Sequence, residues 1–349
     1  MGRVSRARRV ATAAMYGGGG IGVLGALAAG LIVSQVSYAR RIIGPPEEPA
    51  PAADGTYGEH EPGEPLRLVV LGDSSSVGLG AATYRQTPGA VLARNLARIA
   101  GRPVQLRTAG VIGALSADLD DQVRRALAHQ PDLALIMIGG NDVTHRVWPS
   151  VAVRHLGDAV RALRESGCHV VVGTCPDLGT IQPIRPPLRW VARRWSRELA
   201  AAQTIAVVEA GGRSVSLGDL LGPEFAKAPD RMFSADQFHP SADGYAAAAA
   251  ALLPAFVMAL QLADGTPTRT AGVTPLPRAA VEAAYHAGTE VSGTEVAGNE
   301  RGPKGRWAEL RQWMLGWTAR PADTDSQPRR IEAAARRADR RAHRGAPAA

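Results

Sequence analysis

Two short segments far apart in the chain hold the residue types of an acyl-transfer site. Residues 71–78 read Leu-Gly-Asp-Ser-Ser-Ser-Val-Gly and follow the apolar run Leu66, Leu68, Val69 and Val70. Residues 236–240 read Asp-Gln-Phe-His-Pro. A serine hydroxyl is a poor nucleophile unless a base takes its proton, and an imidazole base needs a partner on its other ring nitrogen to fix its tautomer. Ser74 supplies the first group, and Asp236 with His239, three residues apart on one loop, supply the others. Each signal alone is common. Gly-Asp-Ser serves equally as a turn or helix cap, and an isolated Asp-x-x-His is most often a surface pair.

Two glycine-bearing segments could complete the device with donors for a developing oxyanion. Ile138-Gly139-Gly140-Asn141-Asp142 closes the apolar run from Leu133, so the Asn141 amide can face the same edge as Ser74. Gly110-Val111-Ile112-Gly113 follows Val104 to Thr108 and offers the backbone N–H of Gly113, while Ser74 offers its own. The Gly-x-Ser-x-Gly elbow is absent around Ser74, which disfavours an α/β-hydrolase fold.

These loops need a frame. Strands are expected at Leu66–Leu71, Val104–Thr108, Leu133–Ile138, His169–Gly173 and Ile205–Val208. Helices are expected at Pro88–Ala100, Asp118–His129, Ser150–Glu165, Leu188–Ala202 and Ala242–Leu262. Strict strand–helix alternation implies a parallel sheet covered on both faces, whose ligand crevice lies beyond the carboxyl ends of the strands. All four chemical segments fall at that edge or in the last connection. Cys175-Pro176-Asp177 and Pro183 to Leu188 are expected over the same face, where Arg185 or Arg189 could meet an anionic group or serve only as helix entry. The last helix is apolar enough to mimic a membrane span, but Pro254 and its place after the His239 loop favour a packed terminal helix.

Around this unit, 66–263, the chain divides further. Residues 1–43 carry Arg3, Arg6, Arg8 and Arg9, then a largely uncharged stretch from Val10 to Ala39 that exceeds the roughly 20 residues a bilayer requires. The firmest spanning segment is Ile21–Tyr38. The arginine excess before it places the N-terminus in the cytoplasm and the bulk of the chain outside. An uncleaved anchor is favoured over a cleaved signal peptide, because the apolar region is long for one. Residues 44–65, rich in Pro and Glu, read as a linker. Residues 264–349 form a basic tail in which Trp307, Leu310, Met314 and Trp317 recur at near-helical spacing, suiting either an interfacial helix or one docked on the catalytic unit.

The basic residues behind the net charge of +8 are almost all arginine, with dense clusters near the two ends of the chain. That grouping points to an anionic membrane or wall polymer rather than nucleic acid. Cys168 and Cys175 bracket one expected strand, roughly 20 Å apart and too far for a disulfide. No metal or cofactor is called for.

Taken together, the segments resemble the SGNH hydrolase superfamily, the GDSL esterases and lipases, over residues 66–262 and in family order. The resemblance implies a three-layer α/β/α sandwich with a central parallel five-stranded, flavodoxin-like sheet. It assigns Ser74 as nucleophile, Asp236 and His239 as its partners, and Ser74, Gly113 and Asn141 as oxyanion donors. It implies an ester substrate on an acylated lipid, glycan or wall component; a catalytically silent binding protein of the same fold is the alternative. Ser75 stands where the family's eponymous motif has leucine, and Thr108 where an asparagine often precedes the block of Gly113.

Overall fold

The computed structural model describes residues 30–39, 41–44, 49–218, 225, 227–263, 290–291 and 296–297. Residues 21–29 of the expected spanning segment, the Trp307–Trp317 helix and the arginine-dense tail lie outside them.

Five parallel strands form the sheet's centre: β2 (Leu66–Gly72), β3 (Val104–Thr108), β4 (Leu133–Met137), β5 (His169–Gly173) and β6 (Arg213–Val215). A further strand, β1 (Gly55–Tyr57), joins the β3 edge antiparallel, giving the order β1-β3-β2-β4-β5-β6 and making the sheet mixed rather than purely parallel. Two-residue strands β7 (Glu290–Val291) and β8 (Val296–Ala297) extend the β6 edge antiparallel. β1 falls inside the stretch expected as linker. Its three residues lack an alternating apolar pattern, yet neighbouring Ala53 is buried in the core and the Tyr57 hydroxyl donates to the Ala53 carbonyl at 2.8 Å.

The period-2 alternation of the strands sorts the core into two layers. Leu68 and Val70 of β2 and Leu133, Leu135 and Met137 of β4 face one side. They meet helices α1 (Pro88–Ala100) and α7 (Ala242–Ala263) through Leu92, Leu96, Leu252 and Phe256. Val69, Leu71, Ala134 and Ile136 face the other, against α2 (Leu119–Leu127) and α4 (Pro149–Glu165). α1 shows how local chemistry sets the bounds: Thr87 caps its first turn by accepting from the Ala90 N–H, Pro88 opens it, and Gly101 ends it at φ 59°. α7 meets the length and apolarity of a bilayer span, but most of it is buried against the sheet, as a packed terminal helix should be.

The fifth strand lies beyond its expected place. Ile205 to Val208 continue α5 (Leu188–Glu209), and the strand follows Gly211-Gly212 as Arg213–Val215. A short β-branched run fits helix or strand alike, and here Val207 at 0% exposure packs in the second core layer from the helix. Counting only the parallel strands in chain order, the arrangement is 2-1-3-4-5, whose switch point lies between β2 and β4. Ligand crevices open at such a point, and Ser74 follows one of these strands and Asn141 the other.

Candidate active site

The turn after β2 is built around a backbone that only glycine adopts. Gly72 has φ 131°, and a Cβ there would stand 1.8 Å from the Met137 carbonyl oxygen of β4. That carbonyl accepts the Asp73 N–H at 3.0 Å, so the two strand ends are tied where the chain turns toward Ser74. Buried Gln122 of α2 grips Gly72 from the other layer, accepting from its N–H at 2.7 Å and donating to its carbonyl at 3.0 Å. The next residues form a tight turn in which the Asp73 carboxylate accepts from the Ser75 N–H and hydroxyl. Burial pushes the Asp73 carboxyl above its usual range. Among the described residues, the Ser74 N–H has no acceptor.

The other chemical loop follows the short helix α6 (Pro229–Met232) and closes on itself. Phe233 bridges Pro240, the Ser234 N–H donates to the His239 carbonyl at 2.8 Å, and Gln237 takes the left-handed conformation at φ 55°. At its centre the Asp236 Oδ1 accepts from the Ser234 hydroxyl at 2.7 Å and from the N–H groups of Phe238 and His239, both at 2.9 Å. Oδ2 lies 2.6 Å from His239 Nδ1. Burial raises the Asp236 carboxyl, but the hydrogen bonds from His239, Phe238 and Ser234 outweigh it and hold the pKa down at about 2. An ionised carboxylate only accepts, so Nδ1 carries a proton toward it and Nε2 is left as the acceptor. Nε2 lies 2.9 Å from the Ser74 Oγ.

The structure therefore brings Ser74, His239 and Asp236, 165 residues apart in sequence at their widest hydrogen bond, into one series. Asn141 opens the short helix α3 (Gly140–Thr144) after β4 and lines the same cavity. One hydrogen of its side-chain amide goes to the Ala114 carbonyl at 3.1 Å, which fixes the amide and leaves the second hydrogen for a ligand. Gly113, at φ 83°, stands in the turn just before Ala114 but is not among the residues lining the cavity. Of the two proposed donors outside the Ser74 turn, only Asn141 thus reaches the cavity wall in this state.

The cavity holds about 80 Å³ and runs from Ser74 and His239 into the sheet edge, walled by Met137, Leu178, Ile181, Leu217, Phe238 and Ala248. Of the Cys175-Pro176-Asp177 segment, Pro176 lines it. Asp177 turns inward instead and receives Arg193 and Arg197. Arg185 and Arg189 do not line it; Arg189 donates to the Ile184 and Gln182 carbonyls. Such a wall suits an apolar acyl group with its carbonyl at Ser74.

Residues 70–247 match the GDSL-like Lipase/Acylhydrolase family. The chain belongs to that family. As a GDSL-type esterase it is 41% identical to the GDSL-like esterase Rv1075c of Mycobacterium tuberculosis over 251 residues, 69% of this chain and 79% of that protein. Among solved structures, TesA is 25% identical with a TM-score of 0.42, covering 56% of this chain and 99% of its own. The acetylxylan esterase Axe2 of Geobacillus stearothermophilus, in a variant form, is 18% identical with a TM-score of 0.42, covering 57% and 96%. The family and its esterase relative make this chain a serine hydrolase acting on ester bonds, with the α/β fold of that superfamily.

Four supports of this GDSL-type site were not legible in the sequence. Gln122 is one. Gln203 of α5 accepts from the Cys175 N–H at 2.7 Å and donates to the Ile138 carbonyl at 3.0 Å, joining the ends of β4 and β5. Asp142, fully buried, accepts from the Ser116 N–H and hydroxyl and so pins the segment after Gly113 to α3. The Tyr245 hydroxyl donates to the Leu79 carbonyl at 2.6 Å, anchoring the end of the Ser74 turn on α7. A buried glutamine or acid in an otherwise apolar helix face is the signal that could have found them.

Proposed function

We propose that this chain is a membrane-tethered carboxylic ester hydrolase in which Ser74, His239 and Asp236 act as a triad. The observation that carries the reading is the 2.9 Å contact between His239 Nε2 and Ser74 Oγ, with Asp236 at 2.6 Å behind the ring. His239 takes the proton of Ser74 as Oγ attacks the ester carbonyl, and the charge forming on the carbonyl oxygen is met by the Ser74 N–H and Asn141. His239 then gives that proton to the departing alcohol, leaving an acyl-enzyme. Water attacks it in the second step, with His239 again as base, and the carboxylic acid leaves with Ser74 restored.

The substrate is an acylated lipid, glycan or cell-wall component, reached outside the cytoplasm by a catalytic unit tethered through the N-terminal apolar segment. The small apolar cavity and the arginine-flanked apolar stretch support this assignment. The test is a panel of p-nitrophenyl esters of graded acyl length, run on wild type and Ser74→Ala with fluorophosphonate labelling alongside. Turnover and labelling are expected on the wild type, falling off as the acyl chain outgrows the cavity, and neither on the variant. Activity surviving in Ser74→Ala would overturn the assignment.

A further inference from the structure

On the globular unit, the large apolar side chains left open to solvent gather at one edge. Trp148 is 73% exposed and Trp190 66%, with Val191, Val111, Ile112 and Tyr84 between 43% and 45%. Topology puts all six on the side where the strands end. Trp148 caps the start of α4, Trp190 and Val191 lie in the first turn of α5, Val111 and Ile112 follow β3, and Tyr84 precedes α1. Ile99, at the far end of α1, is the exception among the described residues. The cavity at Ser74 opens at this same edge. Two largely exposed tryptophans are costly in water and favoured at the headgroup level of a bilayer.

The segments that carry the two tryptophans are basic. Residues 143–151 and 181–196, which carry both tryptophans, contain Arg146, Arg185, Arg189, Arg193 and Arg194 and no carboxylate. Arg193 and Arg194 pair with Asp177 and Glu198 nearby, so the balance of the rim remains basic. A third observation links the rim to the apolar N-terminal stretch. Residues 30–39 are helical and dock here. The Gln35 side chain donates to the Pro186 carbonyl at 2.7 Å and accepts from the Leu188 N–H at 3.1 Å. Arg185 lies over the Tyr38 ring, 5.0 Å from its centroid, and Ala39 is buried among Leu178, Ile181 and Ile184. The segment long enough to span a bilayer therefore ends on the loop that leads into Trp190.

We propose that this rim is a docking face for an anionic lipid bilayer, seated so that the mouth of the Ser74 cavity faces the lipid. The tryptophans enter the headgroup zone, the arginines meet lipid phosphates, and the helix of residues 30–39 holds the unit in that orientation. What is delivered to the cavity rests on the esterase reading above; the docking itself does not.

The test places a bimane label at Trp148→Cys, Trp190→Cys or Ile99→Cys in the full chain, in phosphatidylcholine–phosphatidylglycerol vesicles carrying doxyl lipid. Cys168 and Cys175 are buried, so the label goes to the introduced thiol. Both rim labels are expected to be quenched at least about twofold more than the Ile99 label, and the excess to shrink in pure phosphatidylcholine or high salt. Equal quenching at all three positions, or none at the rim, overturns the docking face. Circular dichroism shows that each variant is folded, and hydrolysis of soluble p-nitrophenyl butyrate, read on the same samples, tests the esterase reading separately. Turnover without rim quenching sinks the docking alone, and rim quenching without turnover sinks the esterase alone.

Discussion

The two loops that meet at the active site are held in opposite ways. The turn carrying Ser74 is fixed from outside, by Gly72 fitted against the Met137 carbonyl, by Gln122 from one layer and by Tyr245 from the other. The loop carrying Asp236 and His239 is fixed from within, since every donor to Asp236 lies between Ser234 and His239. Nucleophile placement is therefore a property of the whole sheet edge, whereas the acid–base pair is held by contacts within its own loop. Damage to the first loop should register in folding, and damage to the second chiefly in turnover.

The largest effect belongs to Gly72→Ala. A backbone carbonyl 1.8 Å from the new Cβ cannot rotate aside as a side chain can, and φ 131° is closed to alanine. A loss of about 4 kcal/mol or more is expected, enough to remove most folded protein and all activity with it. Thermal unfolding monitored by circular dichroism checks this. A variant of near-normal stability would mean the strand ends are not clamped at this point.

Asp236→Asn probes the other loop and should separate turnover from stability. The asparagine oxygen can keep the three donors now on Oδ1, so the loop should stay folded. Its NH2 group, however, faces Nδ1 as a donor, favours the tautomer protonated on Nε2 and removes the acceptor for Ser74. A fall in kcat of about 10⁴-fold is expected, with a loss of stability well below that of Gly72→Ala, since only the charge-linked contribution of Asp236 goes. A large stability loss would erase the contrast between the loops.

That contrast also explains what the sequence disclosed. Asp236, His239 and their spacing were readable because the interactions that hold them are local. Ser74 and Asn141 were readable because each follows an apolar run, and strand ends in an α/β sheet are where ligands bind. The clamps were hidden. Gln122 reaches Gly72 across 50 residues, Gln203 reaches Ile138 across 65, and Asp142 reaches Ser116 across 26. A polar residue on an apolar helix face can be noticed locally, but no local pattern says which distant atom it meets. The fifth strand was misplaced for a related reason. Ile205 to Val208 carry strand-like side chains, but burial of Val207 from a continuing helix, followed by the Gly211-Gly212 break, set the boundary instead.

Asn141→Ala tests the junction of the two arrangements, because Asn141 faces the cavity while its amide is pinned to Ala114. Loss of one oxyanion donor is expected to lower kcat on a short-chain ester on the order of 10²-fold or more, with little change in KM. An effect confined to KM would move Asn141 from the transition state to ground-state binding.

The smallest effect, and the finest test of the self-contained loop, is Ser234→Ala. The hydroxyl is one of the hydrogen bonds that hold Asp236 at about 2 against an ordinary value of 3.8. A carboxyl whose pKa is lowered by folding adds stability that is present above about pH 3.8 and lost as pH falls through about 2. Removing one donor raises the folded pKa toward 3.8 and shrinks that contribution. The variant should therefore unfold at a lower temperature than wild type at pH 5, with the gap closing as the pH is lowered to 2, while kcat at neutral pH falls less than about tenfold because two backbone N–H groups and His239 remain on the carboxylate. A gap that stays constant from pH 5 to pH 2 would show that Ser234 supports the loop by packing alone and not through the charge on Asp236.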